Sequence, residues 1–348
     1  MASAPGNRTF LRRGNPMSHR DTLLLSKAYI HERVGVAAYL PALREAFLAL
    51  DRGELQNPNV GHLRGSGGDI HIKAAAGVER FGKVAVKINA NFPENPSRRG
   101  LPTIQGVIAL IDAHSGELLA LMDSIEITAR RTAAASTLAA MHLARPGSTR
   151  LGMVGCGTQA VYHLEALRDV FALTHVACTD VDTQRATAFA QRAESLGLTA
   201  RVVGAVAECA SRADILVTCT PSATPILHLE DVQRGCFIAA VGTDSRGKHE
   251  LAPQLMAACH VVPDDLAQAL EMGDLHHAVR TGAMTAASIH GELRAIVSGR
   301  IAGRTTPEQV FIFDSTGMAI EDLAAADMIF AQASQDEGVS RFALNAGI

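Results

Sequence analysis

The chain has 348 residues, of which 47% are hydrophobic and 19% charged, and its formal net charge is -3. This composition is typical of a globular protein, and the length suggests two domains. The charge gives no basic surface for nucleic acid or for a membrane, and no apolar run reaches the roughly 18–20 residues of a membrane span. We therefore expect a cytoplasmic protein that binds neither nucleic acid nor membranes.

The chain begins with a polar and basic stretch. Residues 1–16, MASAPGNRTFLRRGNP, lack the apolar segment of a secretory signal and are expected to form a disordered leader. The six cysteines all lie in the middle of the chain, with no CxxC pair and no spacing typical of metal ligands. Reduced thiols in a cytoplasmic protein, with no metal site, are the simpler interpretation.

The first structured part predicts a helical region followed by a sheet. Apolar residues recur at helical spacing over residues 26–52. GDIHIKAAAG and FGKVAVKINANF then alternate apolar and polar residues, which is typical of half-buried strands. IQGVIALIDAHSGELLALMD predicts a hairpin that turns at residues 114–116. Together these patterns predict an antiparallel sheet with a helix packed on it.

An alanine-rich segment, ITARRTAAASTLAAMHLAR, predicts a helix that Pro146 and Gly147 end. Its small side chains allow close packing, which suits a connector between two domains. Seven apolar segments follow with helical segments between several of them: RLGMVG, THVACTD, ARVVG, ADILVTCT, CFIAAVG, HVVPD and VFIFDSTG. This alternation predicts a parallel sheet with helices on its faces, and AIEDLAAADMIFAQASQ predicts a last helix.

A glycine-rich turn in LGMVGCGTQA predicts a dinucleotide site. Gly155 permits the tight turn, Gly157 lets a pyrophosphate approach the backbone, and Ala160 lets helix and strand pack. Asp180 ends the next predicted strand, where a carboxylate accepts hydrogen bonds from ribose hydroxyls and repels a 2′-phosphate. The pattern favours NAD, although Arg185 leaves NADP possible. A glycine turn without any cofactor is the alternative.

Three charged residues are candidates for chemistry. Lys87 lies on the polar face of its strand and Arg131 on the alanine-rich helix, and taken alone both would be solvated. Asp244 follows a strongly apolar strand, and the carboxyl ends of parallel strands are where α/β domains bind ligands.

The order of several motifs resembles one family. AVKINANFPENPSRRGLPT, ITARRTAAAS, MVGCGTQ, VTCTPSATP and VGTDSRGKHEL together are similar to the ornithine cyclodeaminase/mu-crystallin family, over about residues 25–335. The resemblance implies an α/β fold with a Rossmann-type parallel-sheet domain over residues 135–324. It also implies an α+β substrate-binding and dimerisation domain over residues 17–134 plus 325–348, and hence a homodimer. A small amino acid or an imine is the implied substrate.

The resemblance also implies residue roles. Lys87 and Arg131 match residues that hold the substrate carboxylate, and Lys87 and Asp244 match catalytic positions, Asp244 as the acid/base. Many family members carry an arginine on an earlier strand that has no clear counterpart here, and the stretch NPNVGHLRGSGGDIHIK offers Arg64, His71 and Lys73 instead. Lys73 shares a strand face with Asp69 and His71 and is the further candidate for binding the carboxylate. The glycine turn and the resemblance together predict cofactor contacts at Thr103, Arg131, Gly155, Gly157, Thr158, Gln159, Asp180, Thr218, Thr220, Gly242 and Gly317.

The activity implied is that of an ornithine cyclodeaminase, which oxidises the α-carbon to an imine, cyclises with loss of ammonia and returns the hydride. An NAD(P)H-dependent imine reductase or amino-acid dehydrogenase would need the same parts: cationic anchors, a cofactor and a proton-transfer group. A non-catalytic NAD(P)-binding, crystallin-like protein is a third possibility. The presence of Lys87, Arg131 and Asp244 argues against it.

Overall fold

The computed structural model describes residues 21–58 and 60–344. The predicted leader, residues 1–16, lies outside the described residues. The strands are β1 (Thr22–Leu25), β2 (Gly61–Gly65), β3 (Gly68–Gly77), β4 (Lys83–Asn91), β5 (Ile104–Asp112), β6 (Leu118–Asp123), β7 (Arg150–Val154), β8 (His175–Thr179), β9 (Thr199–Val202), β10 (Ile215–Thr218), β11 (Phe237–Ala240), β12 (His260–Pro263), β13 (Phe311–Asp314) and β14 (Ser340–Phe342).

The helices connect these strands and cover their faces. They are α1 (Lys27–Arg33), α2 (Tyr39–Asp51), α3 (Val78–Phe81), α4 (Asn95–Arg99), α5 (Ser124–Leu143), α6 (Thr158–Val170), α7 (Thr183–Ser195), α8 (Val206–Ala210), α9 (Pro253–Ala258), α10 (Leu266–Glu271), α11 (Asp274–Arg280), α12 (Leu293–Val297) and α13 (Ala319–Ala333). Three short 3₁₀ helices lie at Val36–Ala38, Leu229–Asp231 and Ala286–Ser288.

The first sheet has seven strands in the order β14-β1-β6-β5-β4-β3-β2. Strands β3 to β6 pair antiparallel, and the predicted hairpin joins β5 to β6, so that part of the prediction is confirmed. The sheet is mixed, because β1 pairs parallel with β6. The sequence pattern missed β1, β2 and β14: β1 has only four residues, and every residue of β2 and β14 is exposed, so burial leaves no alternation to detect.

The second sheet has seven parallel strands in the order β12-β13-β11-β10-β7-β8-β9. All seven were predicted, and the Rossmann-type fold is confirmed. Because the strands are parallel, their carboxyl ends share one edge, and the loops after β7, β10, β11 and β13 meet there.

The apolar pattern over residues 26–52 forms two helices rather than one. Helix α1 ends at Arg33, because the backbone of the next residue, Val34, is extended, and α2 begins after Gly35 and the first 3₁₀ helix. Helix α2 packs against α5 and α13, and these two long helices cover the inner face of the first sheet. Tyr39, Phe47 and Ile108 are fully buried in the resulting core.

The opposite, outer face of the first sheet is apolar and open. Ile88 and Val107 are directly opposed on β4 and β5, and each is 44% exposed. Leu63 at one side of the sheet and Leu24 at the other are 56% and 40% exposed. Over residues 21–58 and 60–344, no helix is long and apolar enough to cross a membrane.

Candidate functional site

A cavity of about 140 Å³ lies between the inner face of the first sheet and the carboxyl edge of the parallel sheet. Three strands, two helices and the loops after β11 and β13 contribute to its walls. Its lining residues are His71, Lys73, Lys87, Asn89, Asn91, Ile104, Thr128, Arg131, Thr132, Gln159, Val241, Asp244, Ser245, Ser315, Thr316 and Gly317. The structure thus brings together Lys73, Lys87, Arg131, Gln159, Asp244 and Gly317, all of which the sequence predicted.

Two buried lysines face each other across β3 and β4. Lys73 is the register partner of Lys87, and their side chains are 9% and 4% exposed. Lys87 Nζ lies 2.6 Å from Asp322 Oδ2, and Lys73 Nζ donates to the Gly317 carbonyl at 2.6 Å. Like charges directly opposed on a sheet destabilise it, so an anion between them would be strongly favoured. Burial lowers the pKa of Lys87 to about 7, with Asp322 opposing the shift and Arg131 adding to it.

Arg131 on α5 completes a cationic cluster. Its guanidinium lies 2.7 Å from Glu321 Oε2 and 3.2 Å from Asp322 Oδ1, both on α13. Gly317 has φ +77°, and a Cβ there would lie 3.0 Å from Arg131 Nη1, so a glycine is required beside the guanidinium. Burial raises the pKa of Glu321 to about 7 despite Arg131, while Lys87 and Arg131 hold the pKa of Asp322 low against the effect of burial. The cavity therefore holds one permanent cation, Arg131, beside a lysine, Lys87, that titrates near neutral pH.

The sequence reasoning missed both acids of α13. The pattern of AIEDLAAADMIF predicts a helix, but two adjacent acids in so apolar a segment also indicate buried ion pairs. Glu321 and Asp322 are 0% and 1% exposed.

Asp244 stands in the loop after β11, and its side chain is 57% exposed at the cavity. Its Oδ1 accepts a hydrogen bond from Lys248 Nζ at 2.6 Å. The surrounding protein atoms oppose ionisation, but Lys248 and then Lys73 outweigh them and lower the pKa of Asp244. The carboxylate is therefore charged at neutral pH and open to water.

The glycine turn has the geometry of a phosphate cradle. Gly155 has φ +86°, and a Cβ there would lie 2.9 Å from the Cys219 carbonyl oxygen. Space is open around Gly157, and α6 begins at the next residue, Thr158, which is exposed. Ala160 is fully buried against the sheet. The free N–H groups of the helix start thus face open space in which a phosphate fits.

Asp180 lies at the carboxyl end of β8, next to this turn. Its Oδ2 accepts the Cys156 N–H at 2.7 Å, and its Oδ1 accepts the Asp182 N–H at 2.8 Å. Arg185, the residue that left NADP possible, lies 3.3 Å from Asp182.

Eight of the predicted cofactor residues lie outside the cavity wall: Gly155, Gly157, Thr158 and Asp180, described above, and Thr103, Thr218, Thr220 and Gly242. The hydroxyls of Thr218 and Thr220 and the N–H of Gly242 all donate to Glu250, a fully buried carboxylate that the sequence reasoning missed. A Cβ on Gly242 would lie 2.3 Å from the Thr220 carbonyl, so packing alone requires glycine there. Thr103 accepts the backbone N–H of Phe92 through its carbonyl.

Three buried polar atoms at the cavity have no hydrogen-bond partner in the described part of the chain. They are Asn91 Oδ1, Gln159 Oε1 and Ser315 Oγ. Buried polar atoms are nearly always hydrogen-bonded, so these three mark positions where a ligand supplies the partner. Asn91 and Ser315 were not predicted, because neither residue type is distinctive at the end of a strand.

Comparison with known proteins agrees with this arrangement. Residues 20–337 match the ornithine cyclodeaminase/mu-crystallin family. An archaeal alanine dehydrogenase dimer with bound NAD is 35% identical and superposes with a TM-score of 0.89, covering 92% of this chain and 99% of that one. The Δ1-pyrroline-2-carboxylate reductase of Thermococcus litoralis, in complex with NADH and L-proline, is 29% identical, with a TM-score of 0.88 and coverage of 92% and 99%. A lysine cyclodeaminase that recognises L-lysine, L-ornithine and L-2,4-diaminobutyric acid is 32% identical, with a TM-score of 0.82 and coverage of 92% and 95%.

Proposed function

Because the chain belongs to the ornithine cyclodeaminase/mu-crystallin family, we propose that it is an NAD-dependent enzyme acting at the α-carbon of a small amino acid or its imine. One observation carries the proposal: three buried cations, Lys73, Lys87 and Arg131, line a small cavity together with the exposed carboxylate of Asp244. A buried cationic cluster suits a carboxylate, and a guanidinium binds one through two parallel hydrogen bonds.

The residues of the parallel sheet fit a bound NAD. The start of α6 would take the pyrophosphate, Asp180 the ribose hydroxyls, and the unpartnered atoms of Gln159 and Ser315 would reach the nicotinamide end. When bound, the cofactor exchanges a hydride with the substrate α-carbon. Asp180 favours NAD over NADP, because a 2′-phosphate beside a carboxylate is repelled. We expect Asp180→Ala to reduce the preference for NAD over NADP, measured as the ratio of the dissociation constants of the two cofactors.

The remaining steps belong to side chains of this chain. Lys87, Arg131 and Lys73 bind the substrate carboxylate, and Asp322 and Glu321 orient the first two through their ion pairs. A bound carboxylate adds the negative charge that the cluster lacks, so it raises the pKa of Lys87 above its value in the free enzyme.

Asp244 is the residue we assign to proton transfer. Its carboxylate is ionised and reaches the cavity, so it can accept a proton from a substrate ammonium and return it to an imine nitrogen. Lys248 holds the carboxylate in place and keeps its pKa low.

Reduction of an imine, formed from a 2-oxo acid and an amine, is the direction that the geometry supports best. A diamino acid brings a second ammonium group into the cavity. Asp244 is the one acid among the lining residues within the described chain, and Lys248 already neutralises it. The likeness to alanine dehydrogenase and to the pyrroline-carboxylate reductase supports the same direction.

Cyclodeamination of a diamino acid is the second candidate. The observation in its favour is that the side chain of Asp244 is 57% exposed and, within residues 21–58 and 60–344, accepts a hydrogen bond only from Lys248, so a side-chain ammonium could replace that lysine. The likeness to lysine cyclodeaminase supports it too.

One pair of assays separates the candidates. The first incubates the protein with NADH, ammonia and a series of 2-oxo acids and follows NADH oxidation with mass spectrometry of the product. The second incubates it with NAD+ and L-ornithine or L-lysine. NADH consumption with formation of an amino acid supports the reductase. Release of ammonia without accumulation of NADH supports the cyclodeaminase, and no turnover in either assay contradicts the proposal.

We further propose a homodimer formed through the open face of the first sheet. The exposed apolar pairs of that face, such as Ile88 and Val107, are typical of a buried interface, and the alanine dehydrogenase that this chain resembles is a dimer. Val107→Glu is expected to yield monomers by light scattering.

We also propose that the chain forms two domains, residues 17–134 plus 325–348 and residues 135–324. Their boundaries fall within α5 and α13, so these helices join the two domains.

A further inference from the structure

A second cavity of about 490 Å³ adjoins the first. The two share His71, Asn91 and Ser245 as lining residues, so the small cavity opens directly into the larger one. We call the larger one the distal pocket; β2, the near end of β3 and helix α10 form its walls. A substrate as small as alanine would leave it empty.

The distal pocket continues the inner face of the first sheet. Lys73, His71 and Asp69 alternate along β3 and therefore point to the same side. On β2, His62 is opposite His71 and Arg64 is opposite Asp69. These side chains form a row from Lys73 to Arg64. Asp69, the partner of Arg64, lies four residues from Lys73, which is about 13 Å along the strand.

The acids of the distal pocket all have partners. Asp69 Oδ1 lies 3.3 Å from His62 Nε2, and Glu271 Oε2 lies 3.1 Å from Arg246 Nη2. Asp265 accepts the N–H of Gln268 at the start of α10.

Arg64 differs from these residues. It lines the pocket, yet its guanidinium makes no hydrogen bond or ion pair with any residue in the described parts of the chain. Arg64 is exposed, and Asp69, its register partner on β3, pairs with His62, so the guanidinium is open to a ligand that enters the pocket.

The backbone around Arg64 is held in place by close packing. A Cβ on Gly65 would lie 2.9 Å from the ring of Phe92, and one on Gly68 would lie 2.5 Å from the same ring. The two glycines let the β2–β3 hairpin lie directly on Phe92 at the end of β4. Arg64 is thus carried by a hairpin seated on the wall of the site and not by a free loop.

We propose that the distal pocket binds a second carboxylate of the substrate and that Arg64 is its ligand. This inference rests on the proposed function: the first carboxylate occupies the Lys73–Lys87–Arg131 cluster, and the second extends past His71 to Arg64. The substrates are then 2-oxo or imino acids with a distal carboxylate, either on the carbon chain or on the amine partner. The carbonyl oxygen leaves as water when the amine condenses, and the C=N bond takes up a hydride from NADH and one proton.

Matched substrates test the proposal. In the first arm, 2-oxoglutarate is compared with 2-oxopentanoate, each with ammonia and NADH, because the two differ only in the distal carboxylate. In the second arm, pyruvate with glycine is compared with pyruvate with methylamine. We expect kcat/KM to favour the second carboxylate at least tenfold in one arm, and that arm identifies where the carboxylate is carried.

Arg64→Gln is expected to reduce that preference at least tenfold, mainly through KM. Arg98→Gln is the control, because Arg98 is exposed, pairs with Glu94 and lies outside both cavities; it should keep the wild-type ratio. An active wild type with no preference in either arm, a preference that survives Arg64→Gln, or better turnover of L-ornithine with NAD+ would overturn the proposal. Failure of every substrate would instead contradict the proposed function.

Discussion

Two regions at the carboxyl edge of the parallel sheet bury charge in opposite ways. The cavity holds Lys73, Lys87 and Arg131 with three polar atoms that have no partner in the described chain. Behind it lie four buried acids whose oxygens all accept hydrogen bonds from the protein: Glu250, Asp264, Asp274 and Asp314.

The difference shows which buried charges are built for structure and which for a ligand. A buried charge costs several kcal/mol unless hydrogen bonds or an opposite charge compensate it. The acids are compensated within the fold and fix the loops around them: Glu250 ties Thr218, Thr220 and Gly242 together. The cations are compensated only in part, so the missing negative charge is what the site binds.

Lys87→Met is the strongest test of whether the cations of the cavity serve to bind a ligand. If Lys87 binds the substrate carboxylate, kcat/KM should fall roughly 30- to 5,000-fold, which corresponds to about 2–5 kcal/mol of transition-state stabilisation. The protein should stay folded, because Asp322 keeps its ion pair with Arg131. Lys83→Met is a matched control: Lys83 is four residues away on the same face of β4 but pairs with Asp327. Near-normal turnover of Lys87→Met would assign the lysine to structure.

Asp244→Asn tests the second charged group of the cavity. Asparagine keeps the shape and much of the capping ability of aspartate but cannot take up a proton. We expect turnover to fall roughly 100-fold, with NAD affinity and thermal unfolding near those of the wild type. A folded variant that turns over at the wild-type rate would remove Asp244 from the mechanism.

The structural acids predict the reverse behaviour. Glu250→Ala leaves the hydroxyls of Thr218 and Thr220 and the N–H of Gly242 without their buried acceptor, so the free energy of unfolding should fall by about 2–4 kcal/mol. Urea denaturation measures this loss, with the exposed Glu194→Ala as control. A stable Glu250→Ala protein that has lost only activity would place Glu250 among the functional groups.

The sequence predicted the parallel sheet better than the first sheet, for a physical reason. Six of the seven parallel strands contain short apolar runs, because most of their residues are buried. The exception is β9 at the edge of the sheet, which has no buried residue. On β4 the usual relation between polarity and burial is reversed: Lys87 is 4% exposed and Ile88 is 44% exposed. The lysine face lines the cavity and the apolar face awaits a partner, so alternation alone could not say which side is inside.

The same limit applies to the site. The resemblance led to Lys87, Arg131 and Asp244, which do meet at one cavity. Their partners Asp322 and Glu321 come from α13, nearly two hundred residues later than Arg131. Such pairings depend on how the last helix returns to the first sheet, which a linear pattern does not encode.

The smallest effect we predict is a fall in kcat/KM at alkaline pH, caused by deprotonation of Lys87. Burial lowers the pKa of Lys87 to about 7, so in the free enzyme the ammonium form is lost as the pH rises through that value. A carboxylate needs the charged form, and kcat/KM should therefore fall about tenfold per pH unit above about 7. Lys87→Arg should remove this pH dependence, because a guanidinium stays protonated throughout the range, even if its different shape slows the reaction.

Binding is separated from chemistry by the dissociation constant of an unreactive carboxylate such as propionate, measured from pH 6 to 9. This constant should rise with pH in the wild type and stay flat in Lys87→Arg. The same rise in both proteins would show that another group controls the affinity of the cluster for anions.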